Sequence, residues 1–331
     1  MPLFLTEFPF LDSRILGKFK RNLKFDILQF SYTGGSICWL FSTISNIILS
    51  FYPEVFILET FAKILSILDA QMETPPLYGA FHIVSILLCI AVGLIVTKHC
   101  GNKGESYIRR FLLISSVLVI ALEIYKQINF GFDYEGGIVT FDYAWYAFPF
   151  QFCSTPMYIG LLAALIKNDG IHKRLCAYLA SYSLFAGVSV MLYPSSVFIS
   201  TIGINIQTMI CHGLMVSIGM VLIGTGYVKA ELKTIAKACS IFIVLVVCAM
   251  GMNELAHVTG LLETDTFNMF FISPYCDPEL PVYSLVQEVL PFPLTVVIYI
   301  AGFTMAAALI LFIMKGLMSI KFKKKEASSV M

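Results

Sequence analysis

Residues 203–228, GINIQTMICHGLMVSIGMVLIGTGYV, run for 26 positions without an Asp, Glu, Lys or Arg and are followed by Lys229. A helix of that length rises about 39 Å, more than the roughly 30 Å of bilayer hydrocarbon it would have to cross. Working outward, comparable apolar stretches occur at 31–52, 77–97, 108–128, 144–166, 175–193, 236–252 and 293–314. The chain is therefore expected to be an all-α, polytopic transmembrane helix bundle of about eight spans. Its composition agrees: of 331 residues 58% are hydrophobic and 13% charged, far more apolar surface than one soluble core hides. The run 54–71 is too acidic to span and is expected to be a surface helix, ended by Pro75-Pro76.

The placement of charge supplies an independent count. Cytoplasmic segments close to span ends are enriched in Lys and Arg, and here 20 of the 22 basic residues fall in alternate connections: Arg14 to Lys24, Lys98 to Arg110, Lys167 to Arg174, Lys229 to Lys237 and Lys315 to Lys325. The intervening loops carry Glu54, Glu59, Asp69, Glu73, Asp133, Glu135, Asp142, Glu254, Glu263, Asp265, Asp277, Glu279 and Glu288, with Lys63 as their one cation. This alternation places both termini in the cytoplasm. Three regions follow: 1–76, an N-terminal extension with one span and an outer surface helix; 77–318, the main bundle; and 319–331, a basic cytoplasmic tail suited to anionic headgroups. Met1 to Lys24 lacks the apolar core and cleavage site of a signal peptide and is expected to be retained as an interfacial amphipathic segment.

The near balance of charge, net +1, gives no case for a nucleic-acid partner. Nine cysteines are scattered without metal-ligand or disulfide-framework spacing, and no phosphate-binding loop is present, so no metal and no cofactor are expected. Membrane lipids are the expected partners. The oligomeric state is not fixed by the sequence.

Polar side chains inside spans need a partner, a cavity or a function. His82 enters the second span, Glu123 and Lys126 lie late in the third, Gln151 and Cys153 lie in the fourth, and Gln207 and His212 lie in the sixth. Read as ideal helices, the fourth and sixth spans put Cys153 and His212 at a common depth of roughly 13 Å below the outer surface. The reactive groups gather in the outer half, and the inner half is expected to hold almost none. A thiol beside an imidazole is the nucleophile and base of acyl transfer. Glu123 and Lys126, three apart, also suit a local ion pair, and Gly187, Ser189, Gly213, Ser217 and Gly219 suit close helix contacts.

Further motifs carry a resemblance. Phe81-His82, Glu123, Phe148-Pro149-Phe150-Gln151-Phe152-Cys153, Tyr193-Pro194, Cys211-His212-Gly213, Asn253 and Asn268 occur in the order and character of the YwaF-like integral membrane proteins, whose eukaryotic relatives include transmembrane protein 164. The likeness covers about 77–305 and leaves the first 76 residues as an extension. It implies acyl transfer onto lysophospholipids, with Cys153 as nucleophile and His212 as base; His82, Glu123, Gln151 and Gln207 are the candidate supporting or orienting groups by their placement in the spans. One departure stands out: the family commonly has His two residues before the Cys, and here it is Gln151, an amide that cannot shuttle a proton. Two other readings stay open, a transporter or small-ligand binding protein using the same polar cluster, and a scaffold whose polar residues join helices.

Overall fold

The structure is a computed structural model that describes residues 53–101, 103–135, 138–260, 266–277, 280–287 and 289–328. The expected first span at 31–52 and the amphipathic segment before it lie outside these residues. The chain divides into two units, Met1–Thr60 and Phe61–Met331, and the following description concerns the second, with the helix that enters it.

A helix, α1 (Pro53–Leu68), does form in the run expected to be a surface helix, but it stops at Leu68 rather than at the proline pair. Beyond it the chain turns extended: Met72 N donates to Ser200 O at 2.6 Å and Ile202 N to Ala70 O at 2.9 Å. Among the described residues six helices are long and apolar enough to cross a bilayer: α2 (Ala80–Cys100), α3 (Glu105–Asn129), α5 (Asp169–Leu192), α6 (Ile202–Gly224), α7 (Leu232–Thr259) and α9 (Phe292–Ser328), the last with its apolar part at Phe292–Ser319. Between α3 and α5 lie a short antiparallel hairpin, β1 (Phe132–Glu135) with β2 (Ile138–Phe141) in register Phe132 to Phe141, and the short helix α4 (Thr155–Leu165). A further short helix, α8 (Pro281–Gln287), precedes α9.

The expected span at 144–166 is not one helix. Trp145–Ala147 is a single 3-10 turn, residues 148–154 are irregular, and α4 has 11 residues, about 16 Å of rise. The prolines explain the break. Phe148, which precedes Pro149, sits at φ −48° and ψ 137°, the extended conformation that a following proline imposes. Pro156 occupies the first turn of α4, where its missing N–H costs nothing. The carbonyls at the other end of α4 are held by Arg109, whose guanidinium donates to Ala163 O, Ala164 O and Ile166 O at 3.1, 3.3 and 2.7 Å.

In the apolar stretch of α6, 83% of the residues are buried, and in that of α5 72%, against 22% for α2, α3 and α9. α6 is therefore the central post, and the outer helices present Leu, Ile and Val to lipid. Small residues bring the backbones close, as expected where lipid and protein are equally apolar. A Cβ on Gly187 would lie 2.8 Å from His212 O, and one on Gly219 would lie 2.8 Å from Leu184. Gly213 faces Cys89, whose Sγ donates to Gly213 O at 3.2 Å, and Ser217 Oγ donates to Cys89 O at 3.0 Å. Ser189 differs from this expectation, since it is exposed and bonds back to Phe185 O on its own helix.

Midway along α5, Leu179–Ser183 widens into one π turn, which turns Tyr178 and Tyr182 into an aromatic core. Tyr178 stacks on Tyr182 at 5.6 Å between centroids and Tyr182 on Phe242 at 4.5 Å, while Phe152 meets Phe303 edge-on at 5.1 Å.

Candidate functional site

Cys153 lies in the irregular turn just before α4, half-buried against the aromatic core. Among the described residues its thiol makes no hydrogen bond. The depth argument that paired it with His212 does not hold as made, because residues 148–154 are not helical and do not rise 1.5 Å each. The ionisable groups within electrostatic reach of its sulfur are Lys126, Tyr178 and Tyr299.

His212 lies in the middle of α6 with its ring buried. Its Nδ1 is 2.7 Å from Thr208 O. A carbonyl only accepts, so the proton is on Nδ1, and Nε2 presents a lone pair. That Nε2 is buried and has no hydrogen-bond partner. An orphaned buried polar atom costs about 1–3 kcal/mol, so this nitrogen is an unused acceptor held at a cost to the fold. Lys126 is also the cation within reach of His212 and of Cys211. It sits on α3, which packs against both α4 and α6. No hydrogen bond joins Cys153 to His212, contrary to the expectation of a preformed pair; what they share is Lys126.

The supporting residues do other work. His82 is fully buried and spends both nitrogens on structure: Nδ1 accepts from Tyr78 N at 3.0 Å, and Nε2 donates to Met191 O at 2.8 Å, tying α2 to α5. Glu123 forms the expected ion pair, its Oε1 2.7 Å from Lys126 Nζ and 2.7 Å from the donating Gln127 Nε2. Gln127 also donates to Ala147 O at 2.9 Å and accepts from the Tyr143 hydroxyl, which fastens the chain beyond the hairpin to the end of α3. Gln207 stays on α6, donating to Cys211 Sγ at 3.5 Å.

Gln151 is a clamp rather than an orienting group for an imidazole. Its Nε2 donates to Tyr146 O and Asn268 O, both at 3.1 Å, and its Oε1 accepts from Phe270 N at 3.2 Å. It meets an unusual segment, because Phe270 and Phe271 have φ of 60° and 55°, costly values for residues with bulky side chains. The neighbours over-determine them. Asn253 bonds both the N–H and the C=O of Met269 at 2.8 and 3.1 Å, Asn268 Oδ1 accepts from Ser273 N at 2.9 Å, and Tyr299 donates to Phe270 O at 2.9 Å. Phe270 then packs on Phe150 and Phe152 at 5.9 and 5.8 Å, so the strained segment sits against the turn that carries Cys153. Asn253 and Asn268 stood out in the sequence, but their partners are backbone atoms that no spacing rule identifies.

The basic end of the bundle is also not bare, contrary to expectation. His172 is fully buried with Nδ1 2.8 Å from Ala163 O and Nε2 2.6 Å from the Tyr227 hydroxyl, and Cys176 Sγ lies 3.5 Å from Nε2. This is the closest thiol and imidazole contact among the described residues. Both ring nitrogens are satisfied and Cys176 is buried in α5, so the cluster locks α4, α5 and the turn after α6 together. No group of His, Cys, Asp and Glu able to hold a metal occurs among the described residues.

A catalytic reading of the bundle thus rests on an available imidazole, an unbonded thiol at a broken span, and one lysine in reach of both. No curated protein and no solved structure matches the chain. The model of the TMEM164 family matches residues 77–315, from just before α2 to within α9, and the chain belongs to the TMEM164 family.

Proposed function

We propose that this integral membrane protein is a lipid-directed acyltransferase that uses Cys153 as nucleophile and His212 as base. The observation that supports this best is the buried, unpartnered Nε2 of His212, already deprotonated by its tautomer. In the first step Cys153 Sγ attacks the ester carbonyl of a phospholipid. Its proton passes to Nε2, the S–C bond forms, the C–O bond breaks, and His212 returns the proton to the departing lysophospholipid oxygen. The second step reverses the order: Nε2 takes the proton of an acceptor lysophospholipid hydroxyl, whose oxygen attacks the thioester, and the thiol is restored. Lys126 supplies positive charge where the carbonyl oxygen becomes negative. The reaction requires the thiol to swing toward His212 when the acyl chain enters, and no hydrogen bond in the resting state opposes that movement.

The reading is tested by incubating the purified chain, in vesicles of phosphatidylcholine, with a phospholipid bearing an alkyne-tagged acyl chain, then detecting hydroxylamine-sensitive label on the protein. Label is expected on the wild type and on Cys211→Ala and to be absent from Cys153→Ala and at least ~100-fold slower in His212→Ala, the scale of general-base loss. Equal labelling of all four forms removes the reading and leaves a lipid-facing scaffold or transporter.

A further inference from the structure

The connection between α2 and α3, at the basic end of the bundle, gathers positive charge that the fold itself does not use. From Lys98 to Arg110 the sequence has four Lys or Arg residues and a single acid, Glu105. Arg109 takes that acid, its Nε donating to Glu105 Oε1 at 2.6 Å, and turns its remaining donors to the end of α4. Lys98, Lys103 and Arg110 are exposed, and among the described residues none of them pairs with a carboxylate.

Three of the cationic and aromatic side chains are nevertheless held in one place. Gly104, at φ 76°, makes the turn after which α3 begins, a conformation that glycine adopts without a steric cost. Lys103 reaches back over α2, and its Nζ donates to His99 Nε2 at 2.9 Å. An ammonium only donates, so Nε2 accepts, the imidazole is neutral, and its proton is on Nδ1. Tyr107 completes the group: its ring meets His99 edge-on at 6.1 Å, with Lys103 Nζ 4.8 Å and the Arg110 guanidinium carbon 5.6 Å from its centroid. One ring thus draws two like charges together. Cation–π attraction at an exposed site is weak, and it leaves both charges without a counter-ion.

The side chains beneath decide where that counter-ion comes from. Ile95 lies one turn from His99 on α2, and Ile114 lies one turn from Arg110 on α3; they are 67% and 61% exposed. Exposed cations over exposed apolar side chains, repeated on two adjoining helices, match a lipid with its headgroup on the first and its chains along the second. Charge decides the headgroup. A phosphodiester has one negative charge and answers one cation. A phosphate monoester carries about −1.5 to −2 and three strong acceptor oxygens, which suit the Arg110 fork, the Lys103 ammonium and the Nδ1–H of His99 together. We propose that this elbow is a docking surface for an anionic lipid of the adjoining leaflet whose headgroup is a phosphate monoester. The proposal goes beyond the reaction at Cys153 and does not depend on it.

The full chain in maltoside micelles is titrated with dioleoyl phosphatidate, phosphatidylglycerol and phosphatidylcholine, and bound lipid is counted by native mass spectrometry. Phosphatidate is expected to bind about 5-fold tighter than phosphatidylglycerol, the effect of one further charge, and Lys103→Gln combined with Arg110→Gln to weaken it about 30-fold, the effect of two cations. Lys173→Gln removes an exposed cation already paired with Asp169 at 2.5 Å and is expected to leave binding unchanged. All three side chains are on the surface, and the fold tolerates their replacement. Equal binding of phosphatidate and phosphatidylglycerol, or the same weakening by Lys173→Gln as by the double variant, overturns the proposal, as does binding that the double variant leaves intact. Glycerol 3-phosphate displacing phosphatidate at equal concentration overturns the lipid as source.

Discussion

Two histidines in one bundle show how much the surroundings of a ring decide. His82 has both nitrogens bonded and no exposure, so His82→Ala strands Tyr78 N and Met191 O, at about 1–3 kcal/mol for each group left without water or partner. Its melting temperature in detergent is expected to fall well below that of the wild type. His212 is the reverse. Replacing it by Leu removes an unpartnered polar atom, so His212→Leu is expected to melt at or above the wild-type temperature while abolishing acyl transfer. Both side chains read alike in the sequence, as polar residues in apolar runs; what separates them is one backbone carbonyl 109 residues away, which residue spacing does not encode. Tyr143 adds a pH dependence. Burial, and then the Glu123 charge, push its phenol up to about 12, above the ordinary value of about 10. Its neutral form therefore stabilises the fold in full below about pH 10, and this contribution disappears as pH rises toward 12. Thermal melts should show a steeper loss across that interval in the wild type than in Tyr143→Phe.

Among the elements, those whose formation depends on lipid alone were legible: a run of twenty apolar residues has to be a helix, because no other backbone satisfies itself in hydrocarbon. α2, α3, α5, α6, α7 and α9 were readable for that reason, as was the ion pair of Glu123 and Lys126 at helical spacing. The 144–166 run was not, because irregular backbone at membrane depth depends on partners supplied from elsewhere, here Gln151 with Asn268 and Phe270. Cutting that supply should release the strained segment. Asn253→Ala removes both bonds to Met269 and is expected to raise hydrogen exchange across residues 266–277 while leaving α6 protected. Gly187→Leu works on a different joint. Its side chain would press on His212 O and Met215, so α5 and α6 have to separate, with a loss of stability of about 1–3 kcal/mol and of activity, readable by chemical denaturation and by acyl labelling.

At the largest scale, the charge alternation along the six long apolar helices of the described residues divides them into a basic end and an acidic one. The basic end is closed by Arg109, His172, Cys176 and Tyr227, and the acidic end carries the hairpin and the strained segment. The proposed topology assigns the first to the cytoplasm. A cysteine introduced in place of Ser319, near the end of α9, should react with a membrane-impermeant maleimide only after the membrane is permeabilised, whereas one replacing Thr140 in the hairpin should react at once. The clamp at Gln151 also sets an order in time. Its partners Asn268 and Phe270 lie 117 and 119 residues further along, so the turn holding Cys153 emerges from the ribosome long before the groups that shape it. A nascent chain halted after α7 would have five of the six long apolar helices of the described residues in the membrane and an unfinished turn around Cys153, which means that in biosynthesis this protein becomes an anchored membrane resident well before that turn takes its shape.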